Sequence, residues 1–136
     1  MTQEQKEILI KDICCRLPYG VKIQTDYTDI KILEGIQFPN YIGISDGYYS
    51  LDDVECKPYL FPMSSITDEQ EKELNKVYSD EADLIAEHLK SDISGNVHTH
   101  RFNHQLSLNW YLKNHFDIHD LIPMGLAIDA TGLNIY

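Results

Sequence analysis

Basic residues are scarce in this chain: eleven Lys and Arg stand against twenty-two Asp and Glu, a formal net charge of −11. Such an imbalance repels phosphate backbones and anionic lipid. No basic stripe with interleaved aromatics offsets it, which disfavours direct nucleic-acid binding. There is no apolar run of the roughly eighteen residues that a membrane helix needs. The first residues, MTQEQKEILIKD, lack the basic-then-apolar order of a secretory signal, so a cytoplasmic location is the default expectation. Cysteine is sparse. Cys14, Cys15 and Cys56 form neither CxxC nor a zinc-finger spacing, and a bond between the neighbours Cys14 and Cys15 would be strained. They read as reduced thiols, mostly buried. GxSxG, P-loop, GxGxxG and HExxH patterns are all missing, so no catalytic motif and no cofactor are expected.

What is present is an ordinary globular composition, 43% apolar over 136 residues. That is enough for one core, and residues 1–136 read as a single domain. Thr2 with Gln5 makes a capping box for a helix running to about Arg16, which Pro18 and Gly20 end. Residues 20–61 read as β-rich. Val21 and Ile23 alternate with Lys22 and Gln24, as in a half-buried strand. Pro39-Asn40 and Ser45-Asp46-Gly47 are turns, and Ser50–Asp53 fits one helical turn before a last extended piece. The expected class is α+β: a small curled antiparallel sheet, with an SH3-like half-barrel as one arrangement that fits.

Residues 67–136 read as mainly helical. Thr67 with Gln70 is a second capping box. Leu74, Val77, Tyr78, Leu84, Ile85 and Leu89 form a stripe of near-helical period, and Ser79-Asp80 is a candidate break. Residues 67–92 carry nine acids and three bases, which concentrates the negative charge there. Ser107 is the expected N-cap of the next helix, with Leu108, Tyr111, Leu112 and Phe116 on one face. Asp117 reads as the N-cap of a further short helix that Gly125 stops. Leu126, Ala127 and Ile128 read as a short buried strand.

Four stretches, LPYGVK (17–22), KPYLFPMSSIT (57–67), LNWYLKNHFD (108–117) and LIPMGLAIDA (121–130), together resemble a group of small uncharacterised proteins of gut Bacteroides and relatives, often prophage- or mobile-element-encoded. They cover well under half of the chain. The resemblance implies an intracellular bacterial or phage accessory protein. The group carries no assigned activity, so no catalytic residue follows from it.

The one cluster with ligand chemistry is His98, His100 and His104. His98 and His100 would share one face of a strand and could serve as two zinc or iron ligands. Arg101 between them opposes a cation, and no tightly bound metal is expected. The leading expectation is a protein-binding accessory module of open oligomeric state, with Tyr59, Trp110 and Phe116 as candidate contact residues. Two alternatives are a metal-dependent hydrolase at the histidines and an acidic mimic of nucleic acid built on the middle helix.

Overall fold

The computed structural model describes residues 1–25, 29–91 and 105–136, the side chains of 84–91 and 105 excepted. The chain folds as two compact units. One joins Met1–Ser65 to His115–Tyr136, and the other is the intervening Ile66–Asn114.

The first unit opens with helix α1, Gln3–Arg16. Its capping box forms as expected: Thr2 Oγ1 accepts from the Gln5 amide at 3.1 Å, and Gln5 Oε1 accepts from the Thr2 amide at 2.9 Å. Leu9, Ile10 and Ile13 enter the core, and Asp12 and Arg16 are buried with them. A 3-10 turn at Leu17–Tyr19 ends the helix, and Gly20 at φ 67° turns the chain away. Cys14 and Cys15 are exposed, against expectation; only Cys56 is buried, which pushes its thiol up to about 12. The helical period explains the correction. The buried stripe follows Leu9, Asp12, Ile13 and Arg16, so the arginine takes an inward position and the two thiols fall outside.

Strands β1 (Lys22–Thr25), β2 (Ile30–Ile32), β3 (Gly35–Gln37), β4 (Tyr41–Ile44), β5 (Gly47–Ser50), β6 (Cys56–Leu60) and β7 (Ile128–Asp129) follow. They make two sheets rather than one, ordered β2-β1-β6-β7 and β3-β4-β5. The division falls between two adjacent residues. The Leu33 amide donates to Val21 at 3.0 Å, closing the β1–β2 ladder, and the Glu34 amide donates to Gly43 at 2.8 Å, opening the other sheet. One stretch of chain therefore serves both sheets. The Ser50 carbonyl accepts from the Asp53 and Val54 amides, giving the expected helical turn before β6. The run β6-β1-β2 thus continues through Leu33 and Glu34 into β3-β4-β5. β7 adds a parallel neighbour to β6, while the other ladders are antiparallel. Val21, Ile23, Leu33, Ile42, Ile44, Leu51, Cys56 and Leu60 pack with α1 into one core, joined by Leu121, Leu126 and Ala127.

Residues 115–136 belong with this β-rich unit. Asp117 is 4% exposed, and its two oxygens accept from the Leu121 and Ile122 amides, each at 2.9 Å. The carboxylate caps backbone donors as anticipated, but turns replace the expected helix. Asp120 sits at φ 57° and Pro123 has no amide to donate, so helical hydrogen bonding cannot continue.

The second unit holds helix α2, Asp68–Ser91, and helix α3, Gln105–Lys113. The Thr67–Gln70 capping box is present. α2 runs unbroken through Ser79 and Asp80. Both are exposed, where neither side chain need compete for the backbone. α3 starts at Gln105, so Ser107 is not its N-cap. Its amide, in the first turn, donates to the buried Glu81 carboxylate at 2.7 Å. Leu112 is buried, but Leu108 is 38% exposed and Phe116 lies beyond the helix end, so the anticipated four-residue face does not form. Among the described residues, no helix is long and apolar enough to cross a membrane.

Candidate functional site

The outer face of β3-β4-β5 carries the most unusual surface of the first unit. Alternation points Ile36, Ile42 and Tyr49 toward the core, which leaves Gly35, Gly43 and Tyr48 outside. These three stand in one row, because Gly35 pairs with Gly43 and Gly43 with Tyr48. The Tyr48 ring lies across both glycines. A Cβ on Gly43 would come within 2.9 Å of a ring carbon, and one on Gly35 within 2.8 Å of the Tyr48 hydroxyl. Only glycine lets a ring rest this low on a sheet. The ring covers backbone with one side and is still 58% exposed. Tyr41 stands diagonal to it on β4 at 40% exposure, and Phe38, in the turn between β3 and β4, is 67% exposed.

Two exposed carboxylates lie close to these residues in sequence. Glu34 precedes Gly35, Asp46 lies two residues before Tyr48, and both are exposed. The cation of this segment, Lys31, lines a recess of about 380 Å³ with Thr25, Asp29, Ile44, Asp46, Tyr49 and Val54.

A second constellation sits on α1. Asp12 and Arg16 have fully buried side chains. Arg16 Nε donates to Asp12 Oδ1 at 2.6 Å and Nη2 to Oδ2 at 3.1 Å, while His119 Nδ1 lies 2.6 Å from the same Oδ2. His119 is half-exposed beside a cleft of about 340 Å³ lined by Ile8, Lys11, Asp12, Asp120 and Met124. A carboxylate-held imidazole can exchange protons at its far nitrogen. None of these lining residues is a hydroxyl or thiol nucleophile, and Asp12 is already engaged in neutralising Arg16. The geometry fits charge neutralisation better than catalysis.

His115 stands apart from His119. Its ring stacks on Tyr136 with centroids 3.6 Å apart and planes 12° from parallel. Burial, aided by the charges of Arg16 and Lys22, lowers its pKa to about 4. An unfolded histidine takes up its proton near 6.5. Between those values the unfolded chain binds more protons, so stability should fall as pH drops from 6.5 toward 4. We expect a loss of about 1–2 kcal/mol between pH 7 and 5 from this residue. Urea midpoints at the two pH values should move less in His115→Gln. An equal pH response in parent and variant would remove His115 as the cause.

The anticipated contact residues are spent on packing. Tyr59 and Trp110 are 6% exposed and Phe116 is 1% exposed, so none offers a free ring face. Tyr59 lies in β6, and its carbonyl accepts from the Tyr136 hydroxyl at 2.9 Å. Phe116 pairs with Phe61 through a backbone bridge and a tilted ring contact at 6.2 Å. Trp110 belongs to the second unit, where its indole donates to Glu73 at 3.0 Å. His98, His100 and His104 lie outside the described residues. Among those described, no three His, Cys, Asp or Glu side chains gather as a metal could require. Two α2 acids, Glu73 and Glu81, hold α3 residues, which breaks up a uniform acidic row. The surface that sequence reasoning missed is Phe38, Tyr41 and Tyr48. Its available signal was a glycine on each of two neighbouring strands facing the outward member of a Tyr-Tyr pair.

No family model, curated protein or solved structure matches the chain.

Proposed function

We propose that this chain is a non-enzymatic accessory protein that docks on another protein through the outer face of β3-β4-β5. The observation that carries this reading is Tyr48, laid over Gly35 and Gly43 with its other face open. Exposed aromatic rings on a rigid sheet supply contact area at low entropic cost, and such rings are enriched where proteins meet. Clustered exposed apolar side chains mark interaction sites more often than chance exposure does. The resemblance to mobile-element proteins of Bacteroides makes a bacterial or phage protein the natural partner.

The test is a comparison of proteins retained by the immobilised parent chain and by a Tyr41→Ala/Tyr48→Ala variant of unchanged melting temperature. A partner kept by the parent should be lost, or weakened at least about tenfold, with the variant, as expected when anchor side chains are truncated. Identical retention by both would refute docking through this face.

A further inference from the structure

Strand β2 is an edge of its sheet, because the order β2-β1-β6-β7 leaves one side of it without a neighbouring strand. One hydrogen bond fixes which of its peptide groups face that side. The Leu33 amide donates to the Val21 carbonyl at 3.0 Å, and these residues stand opposite each other when the register pairing Lys22 with Ile32 is carried one step further. Antiparallel pairs alternate between bonded and non-bonded. Lys31 is therefore the residue bonded to β1, through Ile23, while the amides and carbonyls of Ile30 and Ile32 point away from it. Among the described residues, nothing pairs with those groups. The side chains of Ile30 and Ile32 share one face of the strand, 48% and 50% exposed. Lys31 points to the other face, where it lines the recess with Asp29 and Asp46.

Free main-chain groups at strand spacing are met by one kind of ligand, another extended chain. Lys31 selects among such chains. A second copy paired antiparallel through both isoleucines would set Lys31 against its own equivalent, and like charges directly opposite destabilise a pair. The net charge of −11 adds to that repulsion. In any added strand, the side chain beside Lys31 falls on the recess side of the sheet. A basic one would meet Lys31, and an acidic one would meet Asp29 and Asp46. Among the described residues, no ion pair joins Lys31 to either carboxylate. An uncharged side chain that both donates and accepts suits both signs.

We infer that β2 takes an extended segment of a partner protein as an added antiparallel strand. Apolar residues of that segment lie beside Ile30 and Ile32, and an uncharged polar residue between them lies beside Lys31. This edge belongs to a different sheet from Tyr48, so it is a docking surface beyond the one proposed above.

The experiment titrates the full chain with a blocked heptapeptide, Gly-Ser-Val-Thr-Val-Ser-Gly, and follows amide resonances and hydrogen exchange by NMR. In the free chain the Ile30 and Ile32 amides should exchange fast and the Lys31 amide slowly. The peptide should shift and protect Ile30 and Ile32 and change Lys31 least. Lysine in place of the threonine should weaken binding about twofold or more, the size of a like-charge cross-strand pair. Methylating the two valine amides keeps the side chains and should abolish binding. Ile32→Pro removes an amide that β1 does not use, so it should fold and fail to bind. Ile30→Lys/Ile32→Lys, which keeps every amide, should also lose the peptide. Tyr41→Ala/Tyr48→Ala should bind it as the parent does, which separates this edge from the other docking face. Equal binding of the methylated peptide, or shifts that spare Ile30 and Ile32, would overturn the inference. So would protection of those amides that rises with protein concentration in the absence of peptide, which would give the edge to a second copy.

Discussion

Asp12→Ala should destabilise the protein by about 3–5 kcal/mol, because it strips a buried cation of its counter-charge. Asp12 and Arg16 are both fully buried, and the carboxylate accepts two guanidinium hydrogen bonds. Arg16 already has one nitrogen, Nη1, buried without a hydrogen-bond partner, so it has no reserve when Asp12 is lost. The neighbouring imidazole cannot compensate, since it is itself a donor toward Asp12 and adds positive charge when protonated. His119→Ala should cost far less, about 1 kcal/mol or under, because that side chain is half in water. Removing both charges together, as Asp12→Ala/Arg16→Met, should recover most of the loss, since a buried ion pair often stabilises no better than apolar side chains of similar volume. Urea denaturation of the four proteins decides the matter. An Asp12→Ala midpoint close to the parent's would mean that Arg16 escapes to solvent in the variant.

The second large effect is expected at Trp110. Trp110→Ala should cost about 3–5 kcal/mol, the range for large core truncations. The ring is 6% exposed and in edge contact with Tyr111, with centroids 5.5 Å apart. Its indole nitrogen donates to Glu73, so truncation also removes the partner of a carboxylate on α2. Trp110→Phe separates the two contributions: it keeps most of the apolar volume and should cost about 1 kcal/mol for the hydrogen bond plus a smaller packing loss. Melting followed by circular dichroism measures both variants. The parent's fluorescence gives an independent check, since this is the single tryptophan and its emission should be that of a shielded indole.

The features that proved legible from the residues are local. Both capping boxes and the alternation at Val21–Gln24 depend on residues a few positions apart, and all three form. Asp117 was half legible: the donors it accepts from are near in sequence, but the choice of turns over helix depended on Asp120 taking a left-handed conformation. What stayed hidden is non-local. Arg16 looks like a solvated helix end until it is buried against Asp12, whose carboxylate a histidine more than a hundred positions away also meets. The division into two sheets turns on where two adjacent amides find acceptors in different strands. Tyr59, Trp110 and Phe116 stood out for their size, and size is what fills an interior. Tyr48 stood out only once Gly35 and Gly43 were placed beneath it. An exposed ring and a buried core ring carry the same letter, and the difference lies in the neighbours that pairing brings.

The backbone bridge between Phe61 and Phe116 bears on how the chain is assembled. The Phe61 amide donates to His115 and the Asp117 amide donates to Phe61, each at 2.8 Å, so the points where the chain leaves and re-enters the first unit are stitched together. Closing that stitch spans the whole of Ile66–Asn114, a loop whose entropy must be paid before β7 can reach β6. On the ribosome, α1 and β1 to β6 emerge well before residues 115–136. For that interval the β6 edge is bare, and the seats of Leu121, Leu126 and Ala127 in the core stand empty. The nascent β-rich unit is therefore a template awaiting β7, and its exposure to wrong pairing along β6 ends only when β7 arrives.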